Sequence, residues 1–196
     1  MLRVVPFALA AVLGLAACSG EDSSGSDEAG STVVGPDDSE CPLPVTFDVL
    51  DGWSADRVTD EEAAELAAEG FDQGANFPSG MRIACEIRSE TELSYLRVFT
   101  GPAALAAKDP EELLGAVASA IDEQPAIPAT RTASKSGVDV VEATYTPVGG
   151  LFQVRLFLAA GPDGVIVGRT AAIDDEESTV LRPLHELVLS SLRLPN

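Results

Sequence analysis

Four strand-like segments follow one another in the second half of the chain, and they constrain the fold more than any other feature. They span residues 130–134, 138–146, 151–159 and 165–172, and short turns separate most of them. Strands joined by such short turns pair antiparallel, because a parallel pair needs a crossover connection of a dozen or more residues. A doubly wound parallel sheet is therefore excluded.

Two further kinds of pattern complete the fold prediction. Shorter apolar segments predict additional strands at residues 45–49, 81–87 and 93–100. Helix start signals occur at Thr59 and Asp109, each followed three residues later by a glutamate, and a third helix is predicted over residues 178–192. We therefore expect an α+β fold in which an antiparallel β-sheet is packed with about three α-helices.

The first eighteen residues have the pattern of a secretory signal. Arg3 precedes an apolar run over residues 4–17, which is shorter than the roughly 20 residues that a membrane-spanning helix needs. The run ends in Leu15-Ala16-Ala17-Cys18, which resembles the lipobox of bacterial lipoproteins at all four positions. The resemblance implies cleavage before Cys18 and attachment of diacylglycerol to its sulfur. The alternative is an ordinary cleavage site followed by an incidental cysteine.

Lipidation of Cys18 would determine where the protein resides. Two acyl chains suffice for stable anchoring, so we expect a lipid-anchored protein on the extracytoplasmic face of the cell membrane, with the bilayer as its partner. Residues 19–40 contain seven acids and no base. Such a segment cannot bury enough apolar surface to offset its ordering entropy. The predicted organisation is a signal peptide over residues 1–17, an acidic disordered tether over 18–40 and one α+β domain over 41–196.

The charge balance excludes one class of partner, and few residue types are available for metals. With 12 basic and 32 acidic residues the net charge is −20, so the chain lacks the excess of Lys and Arg that binds nucleic acid. Too few cysteines and histidines remain after lipidation for a structural zinc site. The acidic clusters at 60–62 and 174–177 are alternatives for calcium, but both sit at predicted helix starts, where carboxylates stabilise the helix dipole. We expect no metal and no cofactor.

The remaining cysteines, Cys41 and Cys85, form an even pair in an oxidising compartment, which predicts a disulfide. The bond would join the start of the domain to the middle of a strand. It requires Cα atoms roughly 4.4–6.8 Å apart. Two free thiols are the alternative.

Neither a catalytic group nor a ligand site is clear from the sequence. His185 lies about 90° from the centre of the apolar stripe of the last helix, and no G-x-S-x-G motif is present, so no catalytic residue is assigned. The candidate ligand or partner patch consists of Trp53, Tyr95, Phe99 and Phe157. The alternative is that Trp53 seals the first strand in the core and that the other three lie on a second sheet face covered by a helix.

Several motifs resemble the LpqN-type small lipoproteins of actinobacteria, whose fold is PsbP-like. The resemblance is carried by the 45–49 strand followed by Asp51-Gly52-Trp53, by the strand Leu96-Arg97-Val98-Phe99 and by the closing helix. A narrower match to streptomycete-type lipoproteins is carried by Cys-Pro-Leu-Pro-Val at 41–45 and by Cys85-Glu86. The resemblance implies the PsbP-like fold, and a fold alone transfers no activity.

Three functions from different classes are compatible with these observations. The first is a non-enzymatic binding or adaptor module for an envelope protein or a small ligand, which the sequence favours. The second is an envelope hydrolase, which requires His185 to meet a nucleophile and a carboxylate. The third is a carrier of lipid or acyl ligands, which requires a large apolar cavity.

Overall fold

The computed structural model describes residues 31–68, 80–122, 129–133, 136–147 and 152–195. The strands in these ranges are β1 (Ser31–Val34), β2 (Phe47–Leu50), β3 (Trp53–Arg57), β4 (Arg82–Ser89), β5 (Tyr95–Pro102), β6 (Ala129–Ala133), β7 (Asp139–Tyr145), β8 (Gln153–Gly161) and β9 (Gly164–Ala172). The α-helices are α1 (Asp60–Ala68), α2 (Pro110–Asp122) and α3 (Asp175–Ser191).

The strands form two sheets, and every strand pair is antiparallel. Seven strands make one sheet in the order β3-β4-β5-β9-β8-β7-β6, and β1 pairs with β2 in a separate two-stranded sheet. All seven predicted strands are present, with ends shifted by up to two residues. The predicted α+β class is confirmed, whereas β1 and β3 are strands that the sequence patterns did not predict.

The seven-stranded sheet is apolar on both faces, and both faces are covered. One face lies against α3 and the β1–β2 pair. Its buried side chains include Ile87, Leu96, Val98, Phe157 and Ile166. The other face lies against α1 and α2, and its buried side chains include Ile83, Phe99, Leu156, Leu158 and Val167. Burying a side chain of this size contributes roughly 1.5–3 kcal/mol, so the fold depends on both covering layers.

The predicted caps start α1 and α2. At α1, the backbone N–H and the hydroxyl of Thr59 donate to Glu62 Oε2 at 2.8 and 2.9 Å. These two bonds, the backbone one foremost, hold the pKa of Glu62 below its ordinary value of 4.5. At α2, Asp109 Oδ1 accepts from the N–H groups of Glu111 and Glu112, both at 3.0 Å.

The start of α3 differs from the prediction. The helix begins at Asp175 rather than at residue 178, because Asp174 is its N-cap and accepts from Glu177 N at 2.8 Å. The Glu177 carboxylate in turn accepts from Ile173 N at 2.7 Å, which completes a capping box. Pro183 lies inside the helix.

The predicted end of the tether at residue 40 is wrong, because residues 31–40 belong to the folded domain. Ser31–Val34 pairs with β2, and Val34 is 1% exposed. Gly35 then turns the chain with φ 109°, and a Cβ there would lie 2.2 Å from the Val45 carbonyl oxygen. A low apolar content did not prevent folding, since the partner strand lies elsewhere in the chain. Residues 18–30 of the predicted tether lie outside the described residues.

Removing β1 should therefore destabilise the domain. We expect a soluble form that begins at Cys41 to melt about 4–8 °C below one that begins at Ser31, because it loses about 2 kcal/mol of strand pairing and Val34 burial. Calorimetry of the two disulfide-bonded forms measures the difference. Equal melting temperatures would show that β1 adds nothing to the fold.

Candidate binding groove

The predicted disulfide is present and joins two parts of the molecule that the sequence separates. Cys41 and Cys85 are bonded with their Cα atoms 6.0 Å apart, and each residue is 1% exposed. Cys41 belongs to the segment that follows β1, whereas Cys85 lies in β4 opposite Arg57 of β3. The bond therefore holds the segment after β1 beside the β3–β4 edge of the large sheet.

Loss of this bond should be costly. It closes a loop with a sequence separation of 44, for which the chain-entropy model gives about 4 kcal/mol. We expect the double variant Cys41→Ala/Cys85→Ala to lose stability of that order in urea unfolding monitored by circular dichroism. In the unsubstituted protein neither cysteine should react with an alkylating reagent until reductant is added. Complete alkylation of both without reductant would contradict the bond.

The four aromatic residues predicted as a patch do not form one. Phe99 and Phe157 lie on opposite faces of the sheet. Both are fully buried, because helices cover each face. Tyr95 is half-buried, and the Arg97 guanidinium lies 4.5 Å from the centre of its ring. Trp53 is 8% exposed and belongs to the core under α3. The alternative interpretation agrees with the burial of Trp53, but it placed Phe99 and Phe157 on one second sheet face, whereas they lie on opposite faces.

His185 is more deeply buried than the boundary position predicted from the helix pattern. It is 4% exposed, and its Nε2 lies 3.5 Å from Glu142 Oε2. Its ring packs edge-on against Phe157 at 5.7 Å between centroids. Phe157 also covers Gly168, where a Cβ would lie 2.0 Å from the ring. The imidazole is thus part of the packing between α3 and the sheet.

Sequence reasoning missed a row of buried charges across three neighbouring strands. Glu86, Arg97 and Arg169 occupy paired positions on β4, β5 and β9, and each is only 7–8% exposed. Arg97 Nε donates to Glu86 Oε2 at 2.8 Å. One sequence signal could have revealed this row: a charged residue within a strand whose neighbours on both faces are apolar and therefore buried. Breaking one partner of such a pair is costly, so the row favours this strand register.

A groove opens beside Trp53, and we call it the edge groove. Its volume is about 580 Å³. Its lining consists of residues 32–34 of β1, residues 38–41 of the following segment and residues 53–56 of β3. Trp53 and Cys41, both singled out in the sequence, therefore meet at this groove, and the disulfide braces one of its walls.

The backbone of β3 is unpaired on the side away from β4. Glu90 N donates to the Gly52 carbonyl oxygen, and Val58 N donates to that of Ala84, both at 2.9 Å. Because the direction of the backbone groups alternates along an antiparallel strand, those of Trp53, Ala55 and Arg57 point away from β4. Within the described part of the chain, no other strand pairs with this edge of β3.

Among the described residues, the outer edge of β1 is unpaired at Val33, while just beyond the strand Leu43 N donates to the Gly35 carbonyl oxygen at 2.9 Å. Asp48 N donates to Ser191 Oγ at 2.9 Å, so the backbone of Asp48 faces the end of α3 rather than Val33. The backbone groups of Val33 therefore point to the other side of β1, where this strand lines the edge groove. The Val33 side chain is 41% exposed.

The edge groove is acidic. Its lining contains Asp38, Glu40 and Asp56 and no basic residue. None of the three carboxylates takes part in an ion pair with another described residue. Across the described residues no group of three or more His, Cys, Asp or Glu side chains is arranged to hold a metal ion. The charges are thus spread along the groove rather than focused on one point.

A second, larger opening of about 830 Å³ lies near the β8–β9 turn. Its lining includes the prolines Pro42, Pro44, Pro102, Pro162 and Pro195. It also includes Arg82, whose guanidinium pairs with Asp60 at 3.0 Å.

In the described part of the chain, no helix is long and apolar enough to cross a membrane.

Solved structures that are similar to this chain include the following two. The solution structure of cyanobacterial PsbP (CyanoP) from Synechocystis sp. PCC 6803 has 17% sequence identity and a TM-score of 0.50, covering 87% of this chain and 95% of that one. The crystal structure of LpqN, described as involved in cell envelope biogenesis of Mycobacterium tuberculosis, has 14% identity and a TM-score of 0.42, covering 85% and 91%. The first similarity confirms the PsbP-like fold.

Comparison by sequence gives the family. No curated protein matches the chain significantly. Residues 15–192, however, match the sequence profile of a family described as "Uncharacterised lipoprotein". Because the match covers most of the chain, this protein belongs to that family of lipoproteins.

Proposed function

We propose that the mature protein is anchored to the extracytoplasmic face of the cell membrane through diacylglycerol on Cys18 and acts there as a non-enzymatic binding module. Its binding surface is the edge groove, and its partner is a protein of the envelope. The observation that carries this proposal is the meeting of two open strand edges, on β1 and β3, in one groove braced by a disulfide. Open edges recognise extended polypeptide through main-chain hydrogen bonds.

The anchor keeps the groove close to the membrane. Cys18 precedes Ser31, the first residue of β1, by 31 − 18 = 13 residues. Even fully extended, that length of chain spans at most about 45 Å. The acidic groove would therefore meet proteins of the membrane surface and the adjoining envelope.

Two observations favour binding over the other two functions. His185 is the only histidine of the chain, and it is packed between Phe157 and Glu142 at 4% exposure, whereas a general base must reach its substrate. A lipid carrier needs an enclosed apolar cavity. Four cavities formed by the described residues are open to solvent, and each has charged side chains in its lining.

The anchor is tested by Cys18→Ser. The variant should lose labelling by a fatty-acid analogue and should accumulate as unprocessed precursor or as released protein, because the thiol is the site of the thioether bond. Fractionation of cells and in-gel detection of the label measure both. A variant that is still labelled and still processed would contradict the assignment.

The binding surface is tested by photocross-linking in living cells. A photoreactive amino acid at Ser54, exposed in the edge groove, should give discrete adducts of higher mass. The same residue at Glu111, exposed on α2 at the other face of the molecule, serves as the matched control and should not. Identical adducts from both positions, or none from Ser54, would contradict the proposal.

A further inference from the structure

We propose that the occupant of the edge groove is an extended segment of a basic polypeptide, which pairs with β3 as an added strand. This inference rests on the proposed function and specifies the chemistry of the partner. It follows from three features of the groove: the direction of its free backbone groups, the apolar surface between its walls and the sign of its charge.

The backbone groups define the length and conformation of the occupant. Trp53, Ala55 and Arg57 direct their N–H and C=O groups away from β4, and they lie on alternate positions of one strand. A strand rises about 3.3 Å per residue, so this edge offers roughly 15 Å for pairing. An added strand of about five residues satisfies all three positions.

The two walls offer apolar contacts to such a strand. Trp53 lines the groove, and the half-exposed side chain of Val33 stands on the β1 wall. Side chains of an added strand alternate between the two faces of the sheet. Every second side chain of the occupant therefore meets apolar surface, which favours β-branched residues at those positions.

The charge of the groove selects a basic segment. Asp38 and Glu40 lie on the segment after β1, Asp56 lies on β3, and all three carboxylates are free of ion pairs with described residues. Lysine or arginine side chains spaced along an extended peptide match charges spread along a groove. The net charge of −20 also accelerates encounters with cationic partners at low salt.

Like charges disfavour the other available occupants. A second copy of the chain would bring the same three carboxylates together across a β3–β3 pair. The protein's own residues 19–30 contain four acids and no base, so they repel the groove as well. A foreign basic segment is the occupant whose charge fits.

Trp53 gives a direct readout, because it is the only tryptophan of the chain. The full-length lipidated protein, held in phosphatidylcholine nanodiscs, is titrated with three blocked seven-residue peptides while tryptophan emission is recorded. One peptide alternates lysine and valine, one alternates threonine and valine, and one is the lysine–valine sequence methylated on every backbone nitrogen. The lysine–valine peptide should bind at least tenfold more tightly than either of the others, because only it carries both the charge and the free N–H groups.

Variants of the groove carboxylates test the charge. The triple variant Asp38→Asn/Glu40→Gln/Asp56→Asn should bind the lysine–valine peptide about tenfold more weakly, since each exposed ion pair contributes modestly. Its affinity for the threonine–valine peptide should not change. The matched control replaces three exposed acids elsewhere with glutamine and alters the net charge equally; the positions are Glu111, Glu112 and Glu186. The control should bind like the unsubstituted protein.

A second pair of variants tests the backbone pairing. Ala55→Pro removes an N–H that points away from β4, so the β3–β4 hydrogen bonds remain, as they do for proline on edge strands. It should abolish binding of the lysine–valine peptide, whereas Ala55→Val, which retains the N–H, should not. Unchanged melting temperatures of the variants show that the fold is intact.

Each remaining result overturns part of the account. Equal affinity for lysine–valine and threonine–valine peptides, or equal losses in the groove and control triple variants, would overturn the preference for basic partners and leave the binding function standing. Equal affinity for the lysine–valine peptide and its N-methylated form would overturn strand pairing. If no peptide binds although Ser54 gives cross-links in cells, the extended occupant is wrong. If Ser54 also gives none, the proposed function itself fails.

Discussion

The structure depends on burying both faces of the seven-stranded sheet away from water. Phe99 and Phe157 show the requirement, because they point to opposite faces of neighbouring parts of the sheet and both are fully buried. Helices α1 and α2 cover one face. On the other face α3 alone is not enough, and the β1–β2 pair completes the layer. The small sheet is therefore a part of the core.

The edge groove is a consequence of this arrangement. The β1–β2 pair packs over the face of the large sheet instead of extending it, so β3 stays at the edge of the sheet and β1 keeps an edge of its own. The bond between Cys41 and Cys85 then fixes the segment after β1 beside β3 and β4. The β1–β2 pair, strand β3 and the disulfide each contribute to stability, and together they create a groove with unpaired backbone on two sides. The carboxylates of Asp38, Glu40 and Asp56 make no ion pair with another described residue, which is why we assign them to a partner.

The elements that the sequence predicted well are those whose signals are local. Alternating and apolar segments between turns located seven strands, and the residues Thr59 and Asp109 marked helix starts because a cap acts within its own first turn. The disulfide was predictable from cysteine count and compartment. In contrast, β1 was assigned to a disordered tether, because its stability comes from β2 and from an α3 layer some 150 residues away in the chain.

The groove could not be predicted for the same reason. Whether β3 is an edge strand depends on the order of all seven strands, and no property of Trp53, Ala55 or Arg57 encodes that order. The two unpredicted strands are the ones that line the groove. The burial of Phe99 and Phe157 likewise depends on which helix covers which face. Sequence reasoning therefore identified Trp53 and Cys41 as notable residues but left the tryptophan open between a partner patch and the core, and the structure places it in the core.

The central claim is that the free edge of β3 is occupied by another polypeptide where the protein works. Hydrogen exchange of the lipidated protein, compared between native envelopes and purified protein in nanodiscs, measures this most directly. Residues 53–57 should exchange more slowly in the envelope, whereas β6, the strand at the opposite edge of the same sheet, should exchange equally in both. Equal exchange of residues 53–57 in the two preparations would contradict the account.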